Sequence, residues 1–352
     1  MQMKKSIILA AVGLFTTLGT MVAQTSVTPV DSTGVKPNCV AYYLPKTSVD
    51  VVMEMEHVKE KPGPFMNYAS RFLGITDVIT SEADRWEIGQ VAIKHHSVAD
   101  ETKCYQIAVN GKSTASNITV NDDGIILGVN LKEEVKKERN NNNRKATASQ
   151  SVEPDLSVLG EDALVAGSVP KMAEMAAKQI YRIRESRADL LSGETEHTPD
   201  GQALKQMLEE MDKREQALVA LFVGRRVVEK KTVVYSIVPT QEMENHVVCR
   251  YSSVEGMVGA DNMVGSPIYL TLKLQQTVAQ QTKKPSRICG LYYNVPARVK
   301  AVVTDGEEEL AKGTFDVAQF GAVNYLPAAM FNGTATMVKF SEAGAVTSID
   351  QK

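Results

Sequence analysis

From Pro170 to Phe222 the apolar residues recur every three or four positions. Ala173, Ala176, Ile180, Ile183 and Leu190 mark one face, and past Gly193 a second face is marked by Leu204, Leu208, Met211, Leu218 and Phe222. On both sides of this stretch the period is two: Val49, Val51, Met53 and Met55 alternate with Asp50, Val52, Glu54 and Glu56, and alternating runs resume at Val227. A pattern of one period cannot bury its apolar face in the other conformation. The chain is therefore read as α+β, with two β-rich lobes, each an antiparallel sheet or sandwich, flanking an antiparallel two-helix hairpin. The helices should run about 22 to 24 residues each, or roughly 33 to 36 Å. Thr198 and Pro199 supply a cap and a first-turn proline, and Lys205 with Glu209, Glu209 with Lys213, and Glu210 with Arg214 are charge pairs four apart.

The remaining boundaries follow from composition. Residues 24–38 read as a flexible N-terminal tail and 39–131 as the first β lobe. That lobe holds strands at Trp86 to Ile93, Cys104 to Val109, Ile118 to Val120 and Ile125 to Val129, and one short helix after Pro64 whose face is Phe65, Tyr68, Ala69, Phe72 and Leu73 and whose stop is Gly74. Asn121-Asp122-Asp123-Gly124 is a hairpin-turn signal. Lys132 to Lys145 has one apolar residue, Val135, so 132–168 reads as a polar linker or loop. The helical hairpin takes 169–224. The second lobe, 225–352, carries strands at Val227 to Val238, His246 to Tyr251, Ile268 to Leu274, Arg287 to Tyr293, Ala297 to Val303, Glu309 to Phe315 and Thr336 to Phe340.

Two polar residues interrupt the helical stripes, Arg187 and Glu215. A symmetric turn centred near Thr195 puts Arg187 beside about Ala203 and Glu215 beside about Met175, roughly 16 Å apart along the axis. Each charge is then expected to reach solvent or a β lobe at its own end of the hairpin. Met172, Met175, Met207 and Met211 read as core filling.

The first 23 residues read as a secretory leader: Lys4 and Lys5, an apolar run from Ile7 to Val22, then Ala23 before the polar Gln24-Thr25-Ser26. About sixteen residues broken by three threonines are short of the roughly 20 a spanning helix requires. Cleavage takes two of the 39 basic side chains and none of the 42 acidic ones, leaving 37 against 42. That balance repels anionic polymers, so no nucleic-acid partner is expected, and the mature chain is read as soluble and exported, periplasmic or associated with the cell surface, with no transmembrane segment.

Catalytic signatures do not assemble along the sequence. Gly111-Lys112-Ser113 lacks the glycine five residues earlier, where Gln106 stands, and a strand-like segment follows it instead of a helix. His57, His95, His96, His197 and His246 are scattered; His95 and His96 should point to opposite faces of a strand, as should His246 and Cys249. Asp122-Asp123 and Glu307-Glu308-Glu309 read as turns. The cysteines Cys39, Cys104, Cys249 and Cys289 fit buried thiols or disulfides equally in an exported protein. Trp86, the single tryptophan, reads as core, while Tyr42-Tyr43 and Tyr292-Tyr293 each place one ring on either face, a thin basis for a glycan surface. No catalytic, cofactor-binding or metal-binding residue is assigned, and no cofactor is expected.

Cys39-Val-Ala-Tyr-Tyr-Leu-Pro45 echoes Cys289-Gly-Leu-Tyr-Tyr-Asn-Val-Pro296 with one residue inserted, and Asn121 to Gly124 echoes Ser341 to Gly344. Duplication and chance both account for this echo. Tyr42-Tyr43-Leu44-Pro45-Lys46-Thr47, Pro62-Gly63-Pro64-Phe65 with Tyr68 to Gly74, Asp123-Gly124-Ile125, Ala220 to Gly224, and Gly290 to Tyr293 with Val295-Pro296-Ala297 together resemble an exported Bacteroides-type family, domain of unknown function 4831. The resemblance implies export and chain length and transfers no catalytic residue. Asp31-Ser32-Thr33 resembles the short O-glycosylation acceptor of such bacteria. The function expected is a non-enzymatic envelope scaffold or binding module for a protein partner or envelope ligand. The alternatives are a secreted hydrolase with a site assembled from distant residues and a chaperone-like assembly factor using the hairpin.

Overall fold

The computed structural model describes residues 27–30, 34–108, 117–131, 154–193, 201–276, 278, 290–331 and 336–351. The leader, Asp31-Ser32-Thr33, Gly111-Lys112-Ser113, the charged stretch 132–153, Thr198-Pro199 and Cys289 lie outside these residues. The elements in chain order are β1 (Val27–Pro29), β2 (Cys39–Lys61), α1 (Ala69–Leu73), β3 (Ala83–Ala108), β4 (Ile118–Val120), β5 (Ile126–Val129), α2 (Glu161–Leu164), α3 (Val169–Ser192) and α4 (Gly201–Val223). They continue with β6 (Arg225–Ile237), β7 (Met243–Ser252), β8 (Gly256–Val258), β9 (Ser266–Leu274), β10 (Leu291–Thr304), β11 (Glu309–Leu326), β12 (Thr336–Phe340) and β13 (Val346–Gln351). This is a mixed α+β fold in which antiparallel sheets flank the helical hairpin.

Among the described residues three sheets form, with strand orders β1-β3-β2-β6, β11-β10-β9-β7-β8 and β13-β12-β5-β4. The first two lie face to face. Val49, Val51 and Met53 of β2, all fully buried, meet Ile268, Leu270 and Leu272 of β9 and Val299, Ala301 and Val303 of β10, so the alternation read in the sequence becomes the inner face of a sandwich. A second core joins the opposite ends of β2 and β10 to the third sheet through Tyr42, Leu44, Ile126, Leu291, Val338 and Phe340.

The sheets are interleaved across the hairpin. All thirteen residues of β6, which follow the helices, pair with β2, from Lys61 opposite Arg225 to Val49 opposite Ile237. In the third sheet β12 adds to β5, with Val338 opposite Val129. Val27, inside the segment read as a tail, is buried in β1 against Ile107. Residues 156–164, inside the segment read as a linker, form a 3-10 turn and α2 and bury Leu159 and Ala163.

The echo seen in the sequence has a geometric counterpart. The β2–β3 ladder steps from Tyr43 opposite Cys104 to Pro45 opposite Ala99, and the β10–β11 ladder from Val295 opposite Ala322 to Ala297 opposite Val317, so β3 and β11 each bulge by three residues. Tyr43 N–H donates to Gly124 O at 2.9 Å and Asn294 N–H to Gly344 O at 3.0 Å, and both glycines sit at positive φ in four-residue turns. The β11 bulge is tied to β2 beside its own bulged partner. Gln319, in the β11 bulge, accepts from Thr47 N–H at 2.8 Å and donates to Thr47 O at 2.8 Å, while Asn294 donates to Pro45 O at 2.8 Å. Tyr42, fully buried, donates to Tyr292 O at 3.3 Å and accepts from Tyr292 N–H at 3.0 Å.

Candidate functional site

The β surface offers two clusters with the residue types of catalysis. At the first, Asp50 Oδ1 accepts from Ser236 Oγ at 2.6 Å and Oδ2 lies 2.7 Å from His96 Nδ1. The order is serine, aspartate, histidine. A serine nucleophile requires the imidazole beside its hydroxyl, with the carboxylate behind; here the carboxylate holds both partners, so the cluster ties β6, β2 and β3 together. At the second, the His57 ring stacks on Trp86 at 4.3 Å and 7°, with Nε2 2.5 Å from Asp84 Oδ1. Arg85 alongside bridges Glu60 at 2.9 Å and Glu87 at 2.7 Å. Among the described residues no three His, Cys, Asp or Glu side chains are grouped to hold a metal ion.

The other residues singled out in the sequence take structural places. His95 stacks on Phe315 at 4.8 Å while His96 turns to Asp50, so the pair does face opposite ways. His246 is exposed and Cys249 fully buried, but a bulge between Val247 and Cys249 sets them opposite Leu270 and Ile268, two residues of one face of β9, so the simple alternation expected of the pair does not hold. Trp86 is half-buried rather than core: one face meets His57, and Gly256 lies close enough that a Cβ there would be 3.0 Å from the ring. Tyr42 is sealed, and Tyr105 and Tyr292, both half-buried, stack on each other at 4.3 Å, which covers one face of each ring. Asp305 Oδ1 accepts from the backbone of Glu307 and Glu308, so these two lie in a turn while Glu309 opens β11.

Cys39, Cys104 and Cys249 are free thiols. Burial pushes the Cys249 thiol up to about 12, against a smaller lowering by the Tyr235 hydroxyl. The thiolate is the reactive form, so Cys249 should resist maleimide in the folded protein and label only with global unfolding. Mass spectrometry of pulse-labelled protein checks this; labelling of Cys249 as fast as the half-buried Cys39 would contradict it.

Among the described residues the hairpin is the one large element that stands apart from the sheets. Ser168 is in extended geometry before α3, Pro170 occupies its first turn, and Gly193 ends it at a φ of 77°. The helices run 24 and 23 residues. Burial concentrates at the root, where Ala173, Ala176, Ala177 and Ile180 of α3 and Leu218, Leu221 and Phe222 of α4 pack with Phe65, Ala69, Leu159 and Ala163. The backbone welds this root to the β body: Leu221 O accepts from Phe65 N–H at 2.8 Å and Val223 O from Ile79 N–H at 3.0 Å.

Above the root the expected separation of Arg187 and Glu215 is overturned. Arg187 Nη2 lies 2.8 Å from Glu215 Oε2 and 2.5 Å from Asp212 Oδ1, close but off hydrogen-bond alignment, and Arg184 Nε donates to Glu215 Oε1 at 2.7 Å. A symmetric turn was the wrong premise. The helices are staggered, so that Arg187 stands level with 212–215 and the first two turns of α4 run past the end of α3. Asp212 and Arg184 were not singled out in the sequence; Arg184 lies one turn before Arg187 on the same face, which was the available signal.

These groups line an open cleft of about 470 Å³ between the hairpin and the start of β6, bordered there by Arg225 and Arg226. Burial raises the Glu215 carboxyl, but the hydrogen bond and charge of Arg184 and the charge of Arg187 outweigh it and leave the pKa below the ordinary glutamate value. Because the folded pKa is the depressed one, the ion pair's stabilisation is complete above about pH 4.3, the unfolded value, and is lost as pH falls through the folded value. Glu215→Gln should therefore flatten the acid limb of the helical circular dichroism signal; identical acid limbs in both proteins would refute the assignment.

Elsewhere on the hairpin surface the charge pairs expected from spacing form only in part. Lys205 reaches Glu209 at 3.9 Å as expected, but Glu210 is taken by Lys213 at 2.6 Å, so the expected pair with Arg214 does not form. Leu191 is 65% exposed and Met207 41%, so not every methionine fills core.

A family pattern described as domain of unknown function (DUF4831) matches residues 38–347, so the chain belongs to that family. No curated protein and no solved structure matches it. No helix among the described residues is long and apolar enough to cross a membrane.

Proposed function

We propose that this protein is an exported, non-enzymatic envelope module in which the interleaved sheets act as a rigid base and the helical hairpin is the element that engages a protein partner. The observation that carries the reading is the uneven burial of the hairpin. Its root is packed and hydrogen-bonded to the body, while the part beyond Arg184 and Glu215 buries little except Leu190 and leaves Leu191 and Met207 on the surface. An arm built so is positioned rather than packed. Export is supported by the leader read at 1–23, and the non-enzymatic reading by the internal pairing of the Asp50 and His57 clusters, whose polar atoms face one another across neighbouring strands.

Crosslinking in intact cells tests the proposal. The full-length protein is compared with a variant whose hairpin is cut back to the level of the Arg184–Glu215 ion pair. A reproducible adduct that disappears with the arm is the expected result. Adducts that persist without the arm, or hydrolytic activity that persists with purified protein, would overturn it.

A further inference from the structure

We propose that the groove between Ile183 of α3 and Met211 of α4, on the side of the hairpin away from the Glu215 ion pairs, docks an amphipathic helix of a partner protein with acidic side chains bordering its apolar stripe. This rests on the reading of the hairpin as a docking arm and adds the place and the chemistry of the contact.

The groove measures about 370 Å³, with Ile183 and Met211 half-buried along its floor and Arg182, Arg214, Ser186 and Glu210 on its lips. From Gln179 at one end to Ser186 at the other it spans about two helical turns, or roughly 10 Å. That is the footprint of the spaced apolar anchors by which an amphipathic helix lies in a groove.

Charge selects the occupant. Across the hairpin, Arg184 and Arg187 are matched by Glu215 and Asp212. On this side neither Arg182 nor Arg214 has an ion-pair partner among the described residues, and the one carboxylate of the lip, Glu210, is bonded to Lys213. Two guanidinium groups thus border an apolar floor with no carboxylate of the described residues within ion-pair distance. Arginine at the rim of such a floor suits carboxylates presented bidentately. A second copy is a poor fit, because an isologous contact would bring Arg182 and Arg214 against the same two residues.

Two synthetic peptides of about 18 residues test this, sharing one leucine stripe but bordered by glutamate in one and lysine in the other. With full-length protein, fluorescence anisotropy should show the glutamate peptide binding at least about 10-fold more tightly, a difference expected of charge complementarity at a rim. The double substitution Arg182→Glu and Arg214→Glu, at exposed positions, should reverse the preference with the circular dichroism spectrum unchanged. No binding, equal binding of the two peptides, or a preference that survives the reversal would overturn the proposal. So would a dimer in sedimentation that the double substitution abolishes, which would assign the groove to a second copy. If cellular adducts require the arm but survive the charge reversal, the docking-arm reading stands and this groove is not the contact.

Discussion

Gly321→Ala is expected to cost about 3 kcal/mol or more of unfolding free energy, because a Cβ at that position would sit 1.9 Å from Val295 O and 2.8 Å from Pro296 Cα. Neither obstacle is the end of a flexible side chain. Both belong to the backbone of β10 where β11 bulges over it, the same place at which Gln319 holds Thr47 of β2. Relief of the clash must open the bulge, and opening the bulge withdraws Gln319 from the other sheet. The control lies on the same strand: Gly313 has no atom within 4 Å of its would-be Cβ, so Gly313→Ala should be close to neutral. Urea unfolding of the two variants decides the matter, and equal midpoints would mean that the β11 bulge and its tie to β2 do not govern the stability of the body.

Phe222→Ala is expected to cost about 3 to 5 kcal/mol, the usual range for emptying a fully buried phenylalanine site. Phe222 packs on Phe65 with ring centres 5.5 Å apart, at the point where α4 leaves the root and β6 begins its pairing with β2. The loss should therefore appear in the unfolding of the whole protein and not in the helices alone. Met207→Ala, on the distal arm, should change stability by less than about 0.5 kcal/mol, as surface substitutions do. The contrast separates a root that belongs to the body from an arm that does not; comparable losses in the two variants would show that the arm is packed after all.

What could be read from the sequence was local. Pro64, the face Phe65 to Leu73 and Gly74 gave a helix that ends with Gly74 at a φ of 70°, and Pro170 and Gly193 bracket α3 because proline and glycine act on their own backbone. The alternation at Val49 to Met55 identified a strand and its buried face. It held no information about which strand lies alongside, and the pairing of β2 with β6 joins residues more than 160 positions apart, with no local trace. The segments Trp86 to Ile93 and Cys104 to Val109 were separate strands in the sequence because Asp100 to Lys103 is polar; in the fold these residues are the bulge of one continuous β3, with Asp100 Oδ1 accepting from both Thr102 N–H and Thr102 Oγ1. The stagger of the hairpin was hidden for a related reason. Spacing fixes the face of a helix but not its axial offset from its partner, and the offset is what brings Arg187 to Glu215.

Native-state hydrogen exchange on the isolated full-length protein bears most directly on the picture of one interleaved body holding out a free arm. Backbone amides of 185–192 and 205–214 should exchange through low-energy local opening, while β2, β3, β6, β10 and β11 should exchange together and only with global unfolding. Protection of the distal hairpin equal to that of the strands, or separate exchange of 39–108 and 225–326 as two independent units, would contradict it.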